Sequence, residues 1–137
     1  MLQATQRPPA RFHSTVAAAT RTPSFSSERF IQPTRIEAVR VSFALNTQRT
    51  LRLRFWLAMS TSTRTTTGSN QTVPTEGRNL LAGWGDVDYV VGDGQEGEIR
   101  IPLNVDHPGG FYLCVDADNQ DGSNSHTVDV TFDLLDL

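Results

Sequence analysis

From Ile36 onward apolar residues recur at every second position, and this period constrains the chain more than any other feature. Val39, Val41, Phe43 and Leu45 alternate with Arg40, Ser42 and Ala44, and Leu51, Leu53, Phe55, Leu57 and Met59 alternate with Arg52, Arg54, Trp56 and Ala58. The pattern returns at Ile99, Ile101, Leu103 and Val105, at Phe111, Leu113, Val115 and Ala117, and at Val128, Val130, Phe132 and Leu134. A two-residue period puts one apolar face on a strand, whereas a helix needs a period near 3.6. Val87, Tyr89 and Val91 offer a weaker strand, and no helix is expected.

Strands with a single apolar face need a second sheet to cover it, so the expected fold is an all-β sandwich. An immunoglobulin-like arrangement fits the strand count over residues 36–137, and a compact jelly roll is the runner-up. Asn46-Thr47-Gln48-Arg49 has a length that suits a hairpin turn between the first two strands, and His107-Pro108-Gly109-Gly110 reads as a further turn. Pro102 marks an edge or a bulge. The Thr-, Ser-, Gly- and Asn-dense stretch from Thr61 to Arg78 reads as a long exposed loop. With 137 residues the chain has material for one core.

Charge divides the chain in two. Residues 1–35 hold Arg7, Arg11, Arg21, Arg29 and Arg35 against the single acid Glu28, while residues 36–137 hold seven arginines against fourteen acids. The first segment also carries Pro8, Pro9, Pro23 and Pro33, with isolated apolar anchors at Phe12, Phe25, Phe30 and Ile31. Proline removes amide donors and opposes helix, so residues 1–35 are expected to form an extended basic arm beside a sandwich of residues 36–137. An organellar transit peptide has a similar composition, but Pro8-Pro9 would break the amphipathic helix it requires. All 12 basic residues are arginine, whose planar fork suits bidentate contacts at interfaces.

The run from Val39 to Leu57, the segment Gly109-Gly110-Phe111-Tyr112-Leu113-Cys114-Val115-Asp116-Ala117-Asp118-Asn119 and a closing strand to Leu135 resemble the CARDB type of immunoglobulin-like adhesion module. The resemblance covers residues 36–135 and implies an immunoglobulin-like sandwich. The chain departs from that pattern after the Asp-bearing strand, where Gln120-Asp121-Gly122-Ser123-Asn124 replaces the usual acidic, asparagine-paired segment.

Catalytic groupings are sparse. His13, His107 and His126 stand in no metal-binding spacing, and no GxSxG elbow, glycine-rich phosphate loop or CxxC pair occurs. Cys114 reads as a small buried filler and cannot form an intrachain disulfide. Asp116, Asp118 and Asp121, with Asp86 and Asp88, miss the DxDxDG calcium spacing and read as loop carboxylates. Asn70-Gln71-Thr72 is a glycosylation sequon, relevant only to a protein secreted by a eukaryote. No catalytic residue, metal or cofactor is expected, and no stretch approaches the roughly 18 apolar residues needed to span a bilayer.

The expected function is structural. Arg7, Arg11, Phe12, Arg21, Phe25, Arg29 and Phe30 of the arm, with Arg52, Arg54 and Trp56 on the polar face of a body strand, are the candidate partner-binding residues. The expected partners are neighbouring protein subunits, either copies of the chain or a major shell protein, as in a capsid cement or decoration protein of a virion. A secreted or cell-surface adhesion module stacking sugars on Trp56, Trp84 or Tyr89 is the alternative. A coat protein whose arm packages nucleic acid ranks third, because the arm's arginines are spaced out rather than clustered.

Overall fold

The structure is a computed structural model and describes residues 5–44, 51–66, 71–81, 89–92 and 97–137. Among these, all regular structure is strand: β1 (Thr5–Val16), β2 (Thr20–Phe25), β3 (Thr34–Phe43), β4 (Leu51–Ala58), β5 (Thr63–Thr66), β6 (Gln71–Pro74), β7 (Gly77–Asn79), β8 (Val90–Val91), β9 (Glu98–His107), β10 (Tyr112–Asn119) and β11 (His126–Asp136). The periodic stretches read from the sequence are β3, β4, β9, β10 and β11. Along β4 buried and half-buried residues alternate from Leu51 to Leu57, as period-two patterning requires.

Two antiparallel sheets face each other. One has the order β1-β11-β3-β9, and the other has the order β2-β10-β4-β7, with β8 also pairing β4. β7 and β8 dock on the same edge of β4, at Trp56–Ala58 and at Arg52–Leu53 respectively, and act together as one broken edge strand. The chain therefore passes to the opposite sheet at every step except between β4 and that broken edge. This is the strand order of the eight-stranded jelly roll, the second of the two sandwich arrangements weighed from the sequence. β3 and β4 lie in different sheets and form no hairpin; the four-residue turn expected between them falls outside the described residues. The expected loop from Thr61 to Arg78 contains the β5–β6 hairpin and β7.

The core lies between the sheets and is built from the alternating side chains. Ile36, Val39, Val41, Val130 and Phe132 of the first sheet meet Leu51, Leu53, Phe55, Leu113 and Val115 of the second, all of them buried. Phe132 packs edge-on against Phe55, with ring centroids 5.8 Å apart, and at the same distance against Phe12. Burying a side chain of this size stabilises the fold by about 1.5–3 kcal/mol.

The expected division at residue 35 is replaced by a continuous fold. β1 lies antiparallel along β11 from Thr5↔Asp136 to Val16↔His126, and β2 lies antiparallel along β10 from Thr20↔Asn119 to Phe25↔Cys114. The N-terminal segment is extended, as its prolines require, but it forms an edge strand of each sheet. Its prolines are compatible with that place: Pro8 and Pro9 sit at a register shift between Arg7 and Ala10, and Pro23 lies on the edge strand β2. All three buried polar residues of the described chain, Thr34, Asp116 and Asn119, are hydrogen-bonded to residues of β1, β2 or the turn joining them.

Candidate interaction surfaces

Arg7 and Arg21 bind the N-terminal strands to the rest of the domain. Arg7 places its guanidinium carbon 4.7 Å from the centre of the Phe30 ring, donates to Glu28 at 2.9 Å, and donates at 3.4 Å to both Thr34 and Asp136. Phe30 in turn stacks on Phe111 at 5.1 Å, and the Phe30 amide donates to the Phe111 carbonyl at 2.8 Å. Gly109 makes this junction possible: its φ is 116°, and a side chain there would collide with the Ile31 carbonyl. Arg21 grips Asp116 with both Nε, at 2.9 Å, and Nη2. Arg7, Arg21 and Phe30, expected to face a partner, are thus committed within the chain. Sequence reasoning missed this because their acceptors lie 21 to 129 residues away.

The outer face of the β2-β10-β4 sheet gathers the second group of expected residues. Arg52 and Arg54 stand opposite Asp118 and Asp116 across the β4–β10 pair, and Trp56 stands opposite Cys114. Arg21, Arg52, Arg54, Tyr89, Asp116 and Asp118 close around a void of about 10 Å³, about the space of one water. The Arg52 guanidinium lies over the Tyr89 ring at 5.0 Å. Arg52 Nε and Trp56 Nε1 are buried without a hydrogen-bond partner among the described residues. A side chain at Gly77 would meet Pro74 at 3.1 Å and the Trp56 ring at 3.4 Å, so the segment after β6 packs over Trp56. Trp56 and Tyr89, the expected sugar-stacking residues, are half-buried, with Arg52 over one face of Tyr89; Trp84 lies outside the described residues, as do Asp86, Asp88 and Asn70.

Burial raises the Asp116 carboxyl above the usual carboxylate range, against the opposing pull of Arg21 and Arg54. Burial, with Asp116 nearby, also pushes the Cys114 thiol up to about 12. Asp121 behaves oppositely, because the Ser123 amide and then His126 donate to it and hold its carboxyl down at about 2. Asp116 and Asp121 are thus occupied by Arg21 and by His126 and do not converge on a common point. Among the described residues no group of three or more His, Cys, Asp or Glu is arranged to hold a metal.

A third surface lies where the two sheets end. Ala10, Arg11 and Phe12 of β1 form one wall of an open groove of about 340 Å³, and Phe25, Ser26, Ser27, Glu28 and Phe30 form the other. Four residues expected at a partner interface, Arg11, Phe12, Phe25 and Phe30, thus come together here. The serines and Glu28 were not foreseen, since nothing in their local sequence marks them. Arg11 and Arg29 are exposed, and neither has a hydrogen-bond or ion-pair partner among the described residues.

No family model matches the chain, and no curated protein matches it. It has a distant structural likeness. The likeness is to a chain from a structure of infectious bursal disease virus, Gx strain, with 12% sequence identity and a TM-score of 0.33, covering 95% of this chain and 32% of that one. This chain therefore spans about a third of the length of that one. Among the described residues no helix is long and apolar enough to cross a membrane.

Proposed function

We propose that the chain is a non-enzymatic structural subunit of a large protein assembly, with a virion as its setting and neighbouring subunits as its partners. The observation that carries this reading is the jelly-roll strand order with the basic N-terminal strands closed into it. Jelly rolls recur in viral capsids, a use of the architecture that depends on outer surfaces and edges rather than on an interior site. Among the described residues, Asp116 is engaged by Arg21, Asp121 by His126 and His13 by Asp129, and Cys114 is buried. The groove and the exposed Arg11 and Arg29 are surface features that a neighbouring subunit could engage.

The role first expected for an arm threading along neighbours passes to the outward edge of that segment, since its inward edge pairs within the chain. A decoration subunit laid on a shell and a subunit of the shell itself both make contacts of this kind. Negative-stain electron microscopy of the purified full chain is the test. Regular particles, rings or lattices are expected, and a field of isolated domains at every concentration and salt condition would overturn the reading.

A further inference from the structure

We infer that the groove between β1 and β2 is a strand-addition site, and that its occupant is an extended segment of another protein in which acidic residues alternate with large apolar ones. The edges of the sandwich are guarded unequally. An unpaired strand edge offers a row of free N–H and C=O groups, and folded proteins blunt such rows with proline or keep the strands short. Pro23 lies on β2, Pro102 on β9, and Pro8 and Pro9 at the start of β1, while β7 and β8 are only three and two residues long. Residues 10–16 of β1 contain no proline, keep regular register with β11, and have no strand on their other side among the described residues. The first three residues of this unguarded run, Ala10, Arg11 and Phe12, border the groove.

The chemistry of the occupant follows from what β1 already pairs with. On its inward side β1 lies against β11, where Val128, Val130 and Phe132 alternate with Asp129, Thr131 and Asp133. The outer row of β1, Arg11 and His13, faces Thr131 and Asp129, and Phe12 of the inner row packs on Phe132. A strand added to the other edge meets the same two rows. Its apolar side chains enter the groove over Phe12 and Phe25, and its acidic side chains come beside Arg11, which has no hydrogen-bond or ion-pair partner among the described residues. Main-chain bonding supplies affinity in this mode, and the alternate side chains supply selectivity.

The inference does not depend on the assembly reading, because binding is read on the single domain. A fluorescent eight-residue probe alternating Asp with Val and Phe, titrated with the full chain and followed by anisotropy, is expected to bind. The same probe N-methylated at alternate amides is expected to lose binding, and Arg11→Glu is expected to weaken the plain probe about three- to tenfold with an unchanged far-UV spectrum. Equal binding of the N-methylated probe would overturn strand addition, and no binding of the plain probe would overturn the site. Self-association abolished by Arg11→Glu, with no probe binding, would overturn the assignment of the occupant by making it a second copy.

Discussion

Arg21 of β2 holds the carboxylate of Asp116 of β10 through two guanidinium nitrogens, with Asp116 only 1% exposed. The cation that neutralises a buried acid of the acidic body thus comes from the basic N-terminal segment, 95 residues earlier in the chain. Removing one partner of a buried pair leaves an uncompensated charge, which costs far more than the pair itself is worth.

Arg21→Ala is accordingly expected to destabilise the fold by about 3–5 kcal/mol at neutral pH, measured by urea unfolding. Asp116 has a raised carboxyl in the folded chain, and loss of Arg21 raises it further. A raised acid penalises the folded state once it ionises. The loss is therefore largest above the folded value and shrinks as the pH is lowered and Asp116 takes up its proton. A loss independent of pH would point to packing rather than charge.

A chain lacking residues 1–25 is expected to give no cooperative thermal transition and to bind a hydrophobic dye. It loses an edge strand from each sheet, strips Phe12 from Phe132, and leaves Asp116 and Asn119 without their N-terminal partners. A sharp melt near that of the full chain would mean that the segment is an appendage.

Asp121 provides a second pH signature. Its carboxyl is depressed to about 2 by the Ser123 amide and then by His126, against an unfolded value of about 3.9. A depressed acid contributes stability above its unfolded value and loses it as the pH falls through the folded one. Thermal melts between pH 6 and 2 are therefore expected to show Asp121→Asn less stable than the parent at the upper end, with the difference narrowing towards the lower.

Cys114 is fully buried and its thiol is pushed up to about 12. The thiolate is the reactive form, so a thiol reagent at pH 8 is expected to leave the folded chain unlabelled and to label it once in denaturant. Prompt labelling of the native protein would place Cys114 on an accessible surface.

How much of this was legible in the sequence depended on how much of each strand is buried. β4 and β11 bury one face deeply, so Leu51–Leu57 and Val128–Leu134 display the two-residue period plainly. β1 is an edge strand whose inner residues, Ala10 and Phe12, are only partly buried and whose first turn of alternation is broken at Pro8-Pro9, so the same period is present but faint. Composition marked the segment as extended, but local sequence holds no sign that Arg21 belongs to Asp116 or Arg7 to Asp136. The outward placement of Arg52, Arg54 and Trp56 followed from their phase in β4. The packing of the segment around Pro74 and Gly77 beside Trp56 did not, because it depends on how the stretch after β4 folds back. Sandwich topology was likewise ambiguous: alternation fixes which face is buried but not which sheet a strand joins.

The most direct test of the assembly reading is the mass of the full-length protein in solution, followed by light scattering across concentration and salt. The account predicts masses many times the 15.1 kDa of one chain, falling as salt screens arginine–carboxylate contacts between copies. A constant mass of one chain under all conditions, including mixtures with candidate shell proteins, would contradict it.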